Sequence, residues 1–171
     1  MKNLISKFTL IIAFVFVANV NAQSSNNIVE NAASIDDFST LVTAVKTAGL
    51  VEVLSSEGPF TVFAPLNSGF EKLPEGTVAT LLKPENKEKL QAILTYHVVK
   101  GNLMAKDVLA AVKENGGKLA VETVNGGKLT VMLRDGGVVL MDAQGNYAKV
   151  VKTDVKSSNG VIHVIDTVVM P

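Results

Sequence analysis

The amino-acid sequence predicts an α+β fold in which helices come first and an antiparallel β-sheet or sandwich comes last. Up to Asn115 most apolar residues recur every three or four positions, which is the spacing of helices with one buried face. After Gly117 apolar and polar residues alternate, and Gly-containing pairs that favour tight turns separate the alternating runs. We therefore expect the N-terminal helices to pack on a sheet formed largely by the last third of the chain.

The first 22 residues have the three parts of a secretory signal peptide. A basic start and an apolar run over residues 8–18 precede small residues and the polar stretch that begins at Gln23. The apolar run is about half as long as the roughly 20 residues that a membrane-spanning helix needs. We expect cleavage after Ala22, a single domain over residues 23–171, and a secreted, periplasmic or cell-surface protein whose mature chain is not inserted in a membrane.

Composition excludes two classes of chemistry. The 171 residues contain no cysteine, so neither disulfides nor thiolate metal sites can form. After removal of the signal peptide, 14 basic residues face 16 acidic ones, and Arg134 is the single arginine. Such a chain has few cations that could bind a phosphate backbone, so we expect no nucleic-acid partner.

The form of the signal peptide and the absence of Asn-x-Ser/Thr sequons after it fit a bacterial origin.

The helices follow from local patterns. Asp36 or Asp37 can cap a helix that Gly49 is placed to end, and Pro84 can occupy the first turn of another. Between them the apolar spacing marks several shorter helical segments. The predicted helices cover residues 28–33, 38–48, 50–54, 78–82, 84–94 and 105–112.

A sharp corner is predicted between residues 58 and 74. A β-branched and aromatic run, residues 60–63, follows a Gly-Pro turn and is cut off by Pro65, which indicates a short buried strand. Asn67 then stands where the N-cap of a helix would be, with Phe70 on the buried face of the turn that follows. A strand and a helix are thus expected to meet at one bend.

The remaining strands follow from alternation and turn residues. Residues 94–99 become β-branched and indicate a short strand, and Gly-rich pairs separate the later runs as hairpin turns. None of these glycines belongs to a GxGxxG or Walker pattern, so no phosphate loop is expected. The predicted strands of the last third cover residues 119–123, 129–133, 138–141, 147–155 and 161–169.

Three separated segments resemble the fasciclin-like domain family. Residues 61–70, TVFAPLNSGF, are similar to its first signature segment, and Tyr96-His97 is similar to its tyrosine–histidine motif. Residues 159–171, NGVIHVIDTVVMP, are similar to its second signature segment. The order and spacing fit as well, and the resemblance covers nearly all of the mature chain. One departure is Gly69, where the family usually has alanine.

The resemblance implies a wedge of strands flanked by helices, as found in secreted and surface proteins that mediate adhesion or other extracellular contacts. It supplies no catalytic residue. We therefore expect a non-enzymatic module whose partner is a protein or a cell-surface or matrix component. The residues expected to be structural within the signature segments are Thr61, Phe63, Pro65, Asn67, Phe70, His163 and Asp166.

Candidate contact residues also come from the resemblance. Animal members contact integrins through an Asp-Ile pair just before the second signature segment, and Asp154-Val155 stands at that place here. An aliphatic residue beside a carboxylate is also what a strand ending in a charged turn would show. Some members bind carotenoids, and Tyr96, His97 and the apolar residues near Leu103 suggest a groove for such an apolar small molecule. This binding is the alternative to a protein or matrix contact.

Metal binding and catalysis are not expected. His97 and His163 are the only histidines, they lie within apolar runs, and no His-x-His or i, i+4 pair exists. We expect His97 to be a hydrogen-bonded structural residue that holds the bend near Asn67. Ser68 follows a tight turn, but its surroundings are not Gly-x-Ser-x-Gly. We therefore assign no catalytic, cofactor-binding or metal-binding residue.

Overall fold

The computed structural model describes residues 25–171. The signal peptide predicted for residues 1–22 and the domain start predicted at residue 23 lie outside the described residues. The helices are α1 (Ile28–Ala33), α2 (Ser39–Ala48), α3 (Val51–Ser55), α4 (Asn67–Glu71), α5 (Thr77–Leu81), α6 (Lys87–Tyr96) and α7 (Ala105–Glu114). The strands are β1 (Phe60–Pro65), β2 (Val98–Lys100), β3 (Lys118–Glu122), β4 (Lys128–Arg134), β5 (Gly137–Met141), β6 (Tyr147–Ser157) and β7 (Gly160–Ile165).

The helices form largely where the sequence predicts them. Gly49 ends α2 in the left-handed conformation, with a φ of 72°, which a residue without Cβ adopts at little cost. The helix predicted from Pro84 opens with a 3₁₀ turn and continues as α6 to Tyr96. The strand predicted over residues 94–99 is therefore wrong in its first half, because Leu94 continues the buried face of α6. None of the helices formed by residues 25–171 is long and apolar enough to cross a membrane.

All seven strands join in one mixed sheet, in the order β2-β1-β7-β6-β5-β4-β3. Strands β3 to β7 follow one another as antiparallel neighbours, as the alternation and the turns predict. Strand β1 pairs in parallel with β7 from Phe60↔Gly160 to Pro65↔Ile165. The antiparallel sheet expected from the sequence thus gains one parallel pair, because a long connection lets the first and the last long strand run in the same direction.

The two edge strands of the sheet approach each other. Val99 and Thr123 form an isolated antiparallel bridge between β2 and the end of β3. The Val124 amide also donates a hydrogen bond to the Val98 carbonyl, with an N···O distance of 2.7 Å. The sheet is therefore nearly closed into a barrel.

Two hydrophobic clusters stabilise the molecule. In the first, helices α1, α2, α3 and α6 pack on the outer side of β2, β1 and β7, where Ile162 and Val164 meet them. In the second, α7 packs into the barrel interior, where Val108 and Val112 meet Leu129 and the other inward residues of β3 to β6. Strand β7 thus contributes to both clusters, which explains its continuous run of apolar residues.

The last strand is shorter than predicted. It ends at Ile165 rather than at Val169, because Asp166 turns its carboxylate back to the backbone of β6. Val168 and Val169 nevertheless stay buried, 4% and 1% exposed. The apolar pattern at the end of the chain therefore reflects burial in the core and does not indicate strand pairing.

Candidate functional site

The Asn67 side chain connects the corner between β1 and α4 to the start of α2 by hydrogen bonds. Its Oδ1 accepts a hydrogen bond from the Thr40 amide at 3.0 Å. Its Nδ2 donates to the Asp36 carbonyl and to Ser39 Oγ, both at 3.0 Å. The predicted N-cap role is wrong, because Leu66 holds the cap position of α4 and Asn67 is the first helical residue. The side chain instead connects two helices that are distant in sequence.

Thr61 and Phe63 hold the middle of β1 in place. The buried Thr61 hydroxyl donates to the Gly101 carbonyl at 2.7 Å and accepts from the Leu103 amide at 2.9 Å. The Phe63 ring stacks on the His163 ring of β7 with a centroid distance of 5.6 Å. Both side chains therefore act within the protein.

The end of β1 packs closely against the end of β7. Pro65 is the last residue of β1 and pairs with Ile165, and Phe70 of α4 lies half-buried against the helical cluster. A Cβ atom at Gly69 would lie 3.2 Å from the carbonyl carbon and oxygen of Asp166. The glycine that departs from the family pattern thus lies where α4 approaches the backbone after β7.

Asp166 closes this end of the sheet. Its carboxylate accepts hydrogen bonds from the Lys149 amide at 2.8 Å, from the Thr167 hydroxyl at 3.0 Å and from Lys72 Nζ at 3.2 Å. Partial burial acts to raise the pKa of Asp166, but these hydrogen bonds and the charge of Lys72 outweigh it and hold that pKa below its usual value. The side chain is thus a structural connection between β6 and β7.

His97 is enclosed where α6 ends. Its Nε2 accepts a hydrogen bond from the Val169 amide at 3.2 Å, which leaves Nδ1 to donate to the Ile93 carbonyl at 2.8 Å. Its own carbonyl accepts from the Phe63 amide at 2.9 Å. Burial lowers the pKa of His97 to about 4. His97 is buried and hydrogen-bonded, as expected of a structural residue, but its predicted partner is wrong. The imidazole bonds to the C-terminal segment and not to the corner near Asn67.

His163 is enclosed as well. Its Nδ1 accepts from the Asp154 amide at 3.3 Å and its Nε2 donates to the Leu103 carbonyl at 2.7 Å. Within residues 25–171 no three His, Asp or Glu side chains are grouped so that they could hold a metal ion. Both histidines of the chain therefore use their two ring nitrogens in hydrogen bonds to the backbone.

Tyr96 lies in the interior. Its hydroxyl donates to the Lys128 carbonyl at 2.7 Å and accepts from the Ala143 amide at 3.0 Å. Burial raises the pKa of Tyr96, against the effect of the hydrogen bond from Ala143. A surface groove of about 520 Å³ lies where β2 and β3 meet. It is lined by Val99, Lys100, Leu103, Val121, Glu122, Thr123, Val124 and Gly126.

Asp154 and Val155 lie in β6 with their side chains half-buried. The Asp154 carboxylate accepts a hydrogen bond from the Ala105 amide at 2.8 Å, so it caps the first turn of α7. Its φ of 58° is in the left-handed region. Val155 packs against the helical cluster. The structure thus gives both residues internal contacts, and their role in partner binding stays a prediction.

One surface that sequence reasoning missed is the outer face of β3 to β6, which we call the outer sheet face. The strand registers place alternate residues of these four strands on it. None of the helices formed by residues 25–171 packs on this face, although they cover the outer side of the other three strands. Its side chains are those of Lys118, Ala120, Glu122, Lys128, Thr130, Met132, Arg134, Val139, Met141, Tyr147 and Lys149. The exposed Val151 follows in β6, at an irregularity of the strand register beside this face.

Arg134 and Tyr147 meet across this face. The Arg134 guanidinium carbon lies 4.9 Å from the centre of the Tyr147 ring, in the geometry of a cation–π contact. Met132 and Val139, which are paired on the same face, are only 7% and 9% exposed. The alternation of the predicted strands carried the signal for this face, since every second position turns away from the core.

Known proteins resemble the chain over most of its length. Protein sll1483 of Synechocystis sp. is 51% identical over 155 residues, which cover 91% of this chain and 79% of that protein. Immunogenic protein MPB70 of Mycobacterium bovis is 32% identical over 164 residues, covering 90% and 74%. Periostin of Homo sapiens is 30% identical over 137 residues, which cover 80% of this chain but only 15% of periostin.

A solved structure has the same fold. The FAS1 domain pair from the insect cell adhesion molecule Fasciclin I matches with a TM-score of 0.77 and 21% sequence identity. The match covers 86% of this chain and 52% of the domain pair, so this chain spans about half of it. The fasciclin domain family also matches residues 36–171, which confirms the resemblance seen in the signature segments. The chain therefore belongs to the fasciclin domain family.

Proposed function

We propose that this protein is a secreted, non-enzymatic interaction module that attaches to a cell-surface or matrix component through its outer sheet face. The observation that carries the proposal is the unequal covering of the sheet. Helices pack on the outer side of β2, β1 and β7, whereas no helix of residues 25–171 packs on the outer side of β3 to β6. A four-stranded surface that presents Tyr147 at 47% exposure is suited to a partner.

The family supports an extracellular contact role. One of its solved members is a cell adhesion molecule of insects, and the match covers most of this chain. The sequence of residues 1–22 supports export, since it has the form of a signal peptide. Sequencing the N-terminus of the exported protein checks this part of the proposal, because we expect the mature chain to begin at Gln23.

The placement of the polar side chains supports the absence of enzymatic activity. The two histidines are the general bases that a nucleophilic mechanism would most readily use. His97 and His163 are 2% and 3% exposed, and both ring nitrogens of each are hydrogen-bonded to the backbone. Neither imidazole is placed to receive a proton from a substrate.

The attachment experiment uses the absence of cysteine from the chain. A single cysteine at Val151 or at Val53 can be coupled to a bulky polyethylene glycol maleimide. The two valines are about equally exposed, 50% and 48%. Val151 lies in β6 beside the outer sheet face, two residues after Lys149, whereas Val53 lies on α3 at the helical side. We expect the label at Val151→Cys to abolish attachment to the cell-surface fraction of the source organism, and the label at Val53→Cys to leave it unchanged.

Two outcomes would reject the outer sheet face as the contact surface. One is unchanged attachment of the labelled Val151→Cys protein. The other is equal loss in both labelled proteins, which would indicate a general effect of the polymer. Unlabelled Val151→Cys serves as the control for the substitution itself.

Binding of an apolar small molecule such as a carotenoid is the second candidate. It is favoured by the open groove where β2 and β3 meet, which lies next to the segment expected to bind such a ligand and includes Val99, Leu103 and Val121. The enclosed position of Tyr96 and His97 means that the groove, and not these two side chains, would hold the molecule. Visible absorbance that stays with the protein after incubation with a lipid extract would support it.

A further inference from the structure

The outer sheet face is basic although the mature chain is acidic. Lys118, Lys128, Arg134 and Lys149 point from it, against the single carboxylate of Glu122. The rest of residues 23–171 contains 10 basic and 15 acidic residues. Such a separation of charge attracts anions to one face of the molecule and repels them from the others. It also opposes pairing of this face with the same face of a second copy, because like charges would meet.

The spacing of the cations indicates a polymer rather than a small anion. Lys118 and Lys149 stand at the two ends of one row of paired residues, three strand spacings apart, which is about 14 Å. Lys128 lies four residues from Met132 along β4, about 13 Å from that row. All three lysines are exposed. Cations so far apart do not converge on one anion, but a chain with repeated negative groups can contact several of them.

The two aliphatic side chains at the centre of the face are screened from solvent. Met132 and Val139 lie in its centre but are 7% and 9% exposed, and the Arg134 guanidinium lies over the Tyr147 ring. A partner that approaches the face therefore contacts the lysine side chains, the Arg134 guanidinium and the Tyr147 ring before it contacts aliphatic side chains. This surface has little to insert into a bilayer. It suits sugar rings, whose C–H faces pack on an aromatic or guanidinium plane and whose acidic groups can accept from guanidinium and ammonium donors.

We propose that the outer sheet face binds an acidic polysaccharide, a polymer of sugars that carry carboxylate or sulfate groups. The inference rests on the proposed function, because it names the partner of the same surface. The lysines supply the long-range attraction and the contacts along the polymer. Arg134 and Tyr147 supply the stacking platform. Glu122 beside Lys128 and the turn residue Asp135, 3.7 Å from the Arg134 Nε, mark the rim of the positive region.

The test compares two triple variants with the same change of charge. Lys118→Glu, Lys128→Glu and Lys149→Glu reverse the outer sheet face, whereas Lys83→Glu, Lys89→Glu and Lys106→Glu reverse three exposed lysines elsewhere. Binding is measured to polygalacturonate, with dextran as the neutral polymer. We expect the first variant to bind about tenfold more weakly or worse and the second to bind like the wild type, because each exposed ion pair contributes a small increment that adds to the others. Raising the salt concentration should weaken wild-type binding, since exposed charges are screened.

Further arms distinguish other partners. Stronger binding to polyglutamate or to phosphatidylglycerol vesicles than to polygalacturonate would overturn the proposal in favour of an acidic protein or a membrane surface. Equal weakening in both triple variants would overturn it as well. Circular dichroism confirms that each variant is folded, and a Lys→Gln triple at the same face positions repeats the test without charge reversal.

The outcome is separable from that of the proposed function. If the label at Val151→Cys blocks cell-surface attachment while the charge variants attach normally, the face is a contact surface but its partner is not a polyanion. If neither the label nor the charge reversal changes attachment, both proposals are wrong.

Discussion

At the scale of single residues, the hydrogen bonds of His97 require a neutral ring. Nε2 must be unprotonated to accept from the Val169 amide, while Nδ1–H donates to the Ile93 carbonyl. Protonation would place an N–H against an N–H in a buried site that is far from water. Desolvation of the charge lowers the pKa of His97 to about 4 from an ordinary value of 6.5, although the hydrogen bond to the Ile93 carbonyl acts to raise it.

The folding stability should therefore depend on pH through His97. Because the pKa is lower in the folded state, the unfolded chain binds the proton first. The stabilisation is complete above pH 6.5 and is lost progressively as the pH falls toward 4, with a total of about 3 kcal/mol. Urea denaturation between pH 7 and pH 4.5 should show this decline in the wild type and a flatter profile in His97→Gln. Equal slopes in the two proteins would assign the decline to other groups.

Contacts between residues that are far apart in the sequence leave no local pattern from which the partner could be predicted. The sequence correctly indicated that His97 is structural, because an isolated histidine in an apolar run needs buried partners. Its partner Val169 is 72 positions away, and no local pattern connects the two. Asn67 shows the same limit, since an amide after a strand resembles a helix cap, whereas its hydrogen bonds reach back to α2.

At the scale of elements, helix α7 depends on a cap from another part of the chain. Met104, at its N-cap position, supplies no side-chain acceptor. The Asp154 carboxylate accepts from the Ala105 amide instead, from a strand 49 residues away. Because Val108 and Val112 of this helix pack into the barrel interior, the cap connects a single carboxylate with the second hydrophobic cluster.

Asp154→Ala should lower the free energy of unfolding by about 1–3 kcal/mol. The change removes the cap and leaves an alanine at a φ of 58°. Asp154→Asn should lose less, because asparagine keeps an acceptor oxygen and tolerates a positive φ. Asp135→Ala is the matched control in urea denaturation, since Asp135 has a similar φ of 52° but caps no helix. If Asp135→Ala is equally destabilised, backbone conformation and not the cap explains the loss.

Local elements were predictable where the periodicity was strong. The alternation after Gly117 placed β3 to β6 correctly, because each hairpin is fixed by its own turn. The parallel pairing of β1 with β7 was not predictable, since it joins residues about a hundred positions apart. The outer sheet face was implicit in the alternation, but its importance depends on which strands the helices cover, and this follows only from the three-dimensional arrangement.

At the scale of the whole molecule, the parallel pair β1–β7 unites the first and the last part of the chain. It carries residues of both hydrophobic clusters, with Ile162 facing the helices and Ile165 facing the barrel interior. The pair begins where Gly160 meets Phe60. A loss of this pairing would separate the helical layer from the strands that form the outer sheet face.

Gly160→Ala tests how much of the molecule depends on this contact. A Cβ atom at Gly160 would lie 2.0 Å from the Phe60 carbonyl oxygen, and backbone on both sides leaves no flexible side chain to move aside. We expect a loss of about 3 kcal/mol or more, or failure to fold. Gly137→Ala is the control, because its nearest neighbouring atoms would be 3.8 Å and 3.9 Å away, and its unfolding free energy should stay within about 0.5 kcal/mol of the wild type. Urea denaturation compares the two, and a Gly160→Ala protein as stable as Gly137→Ala would show that the first and last strands can separate at this point without unfolding the domain.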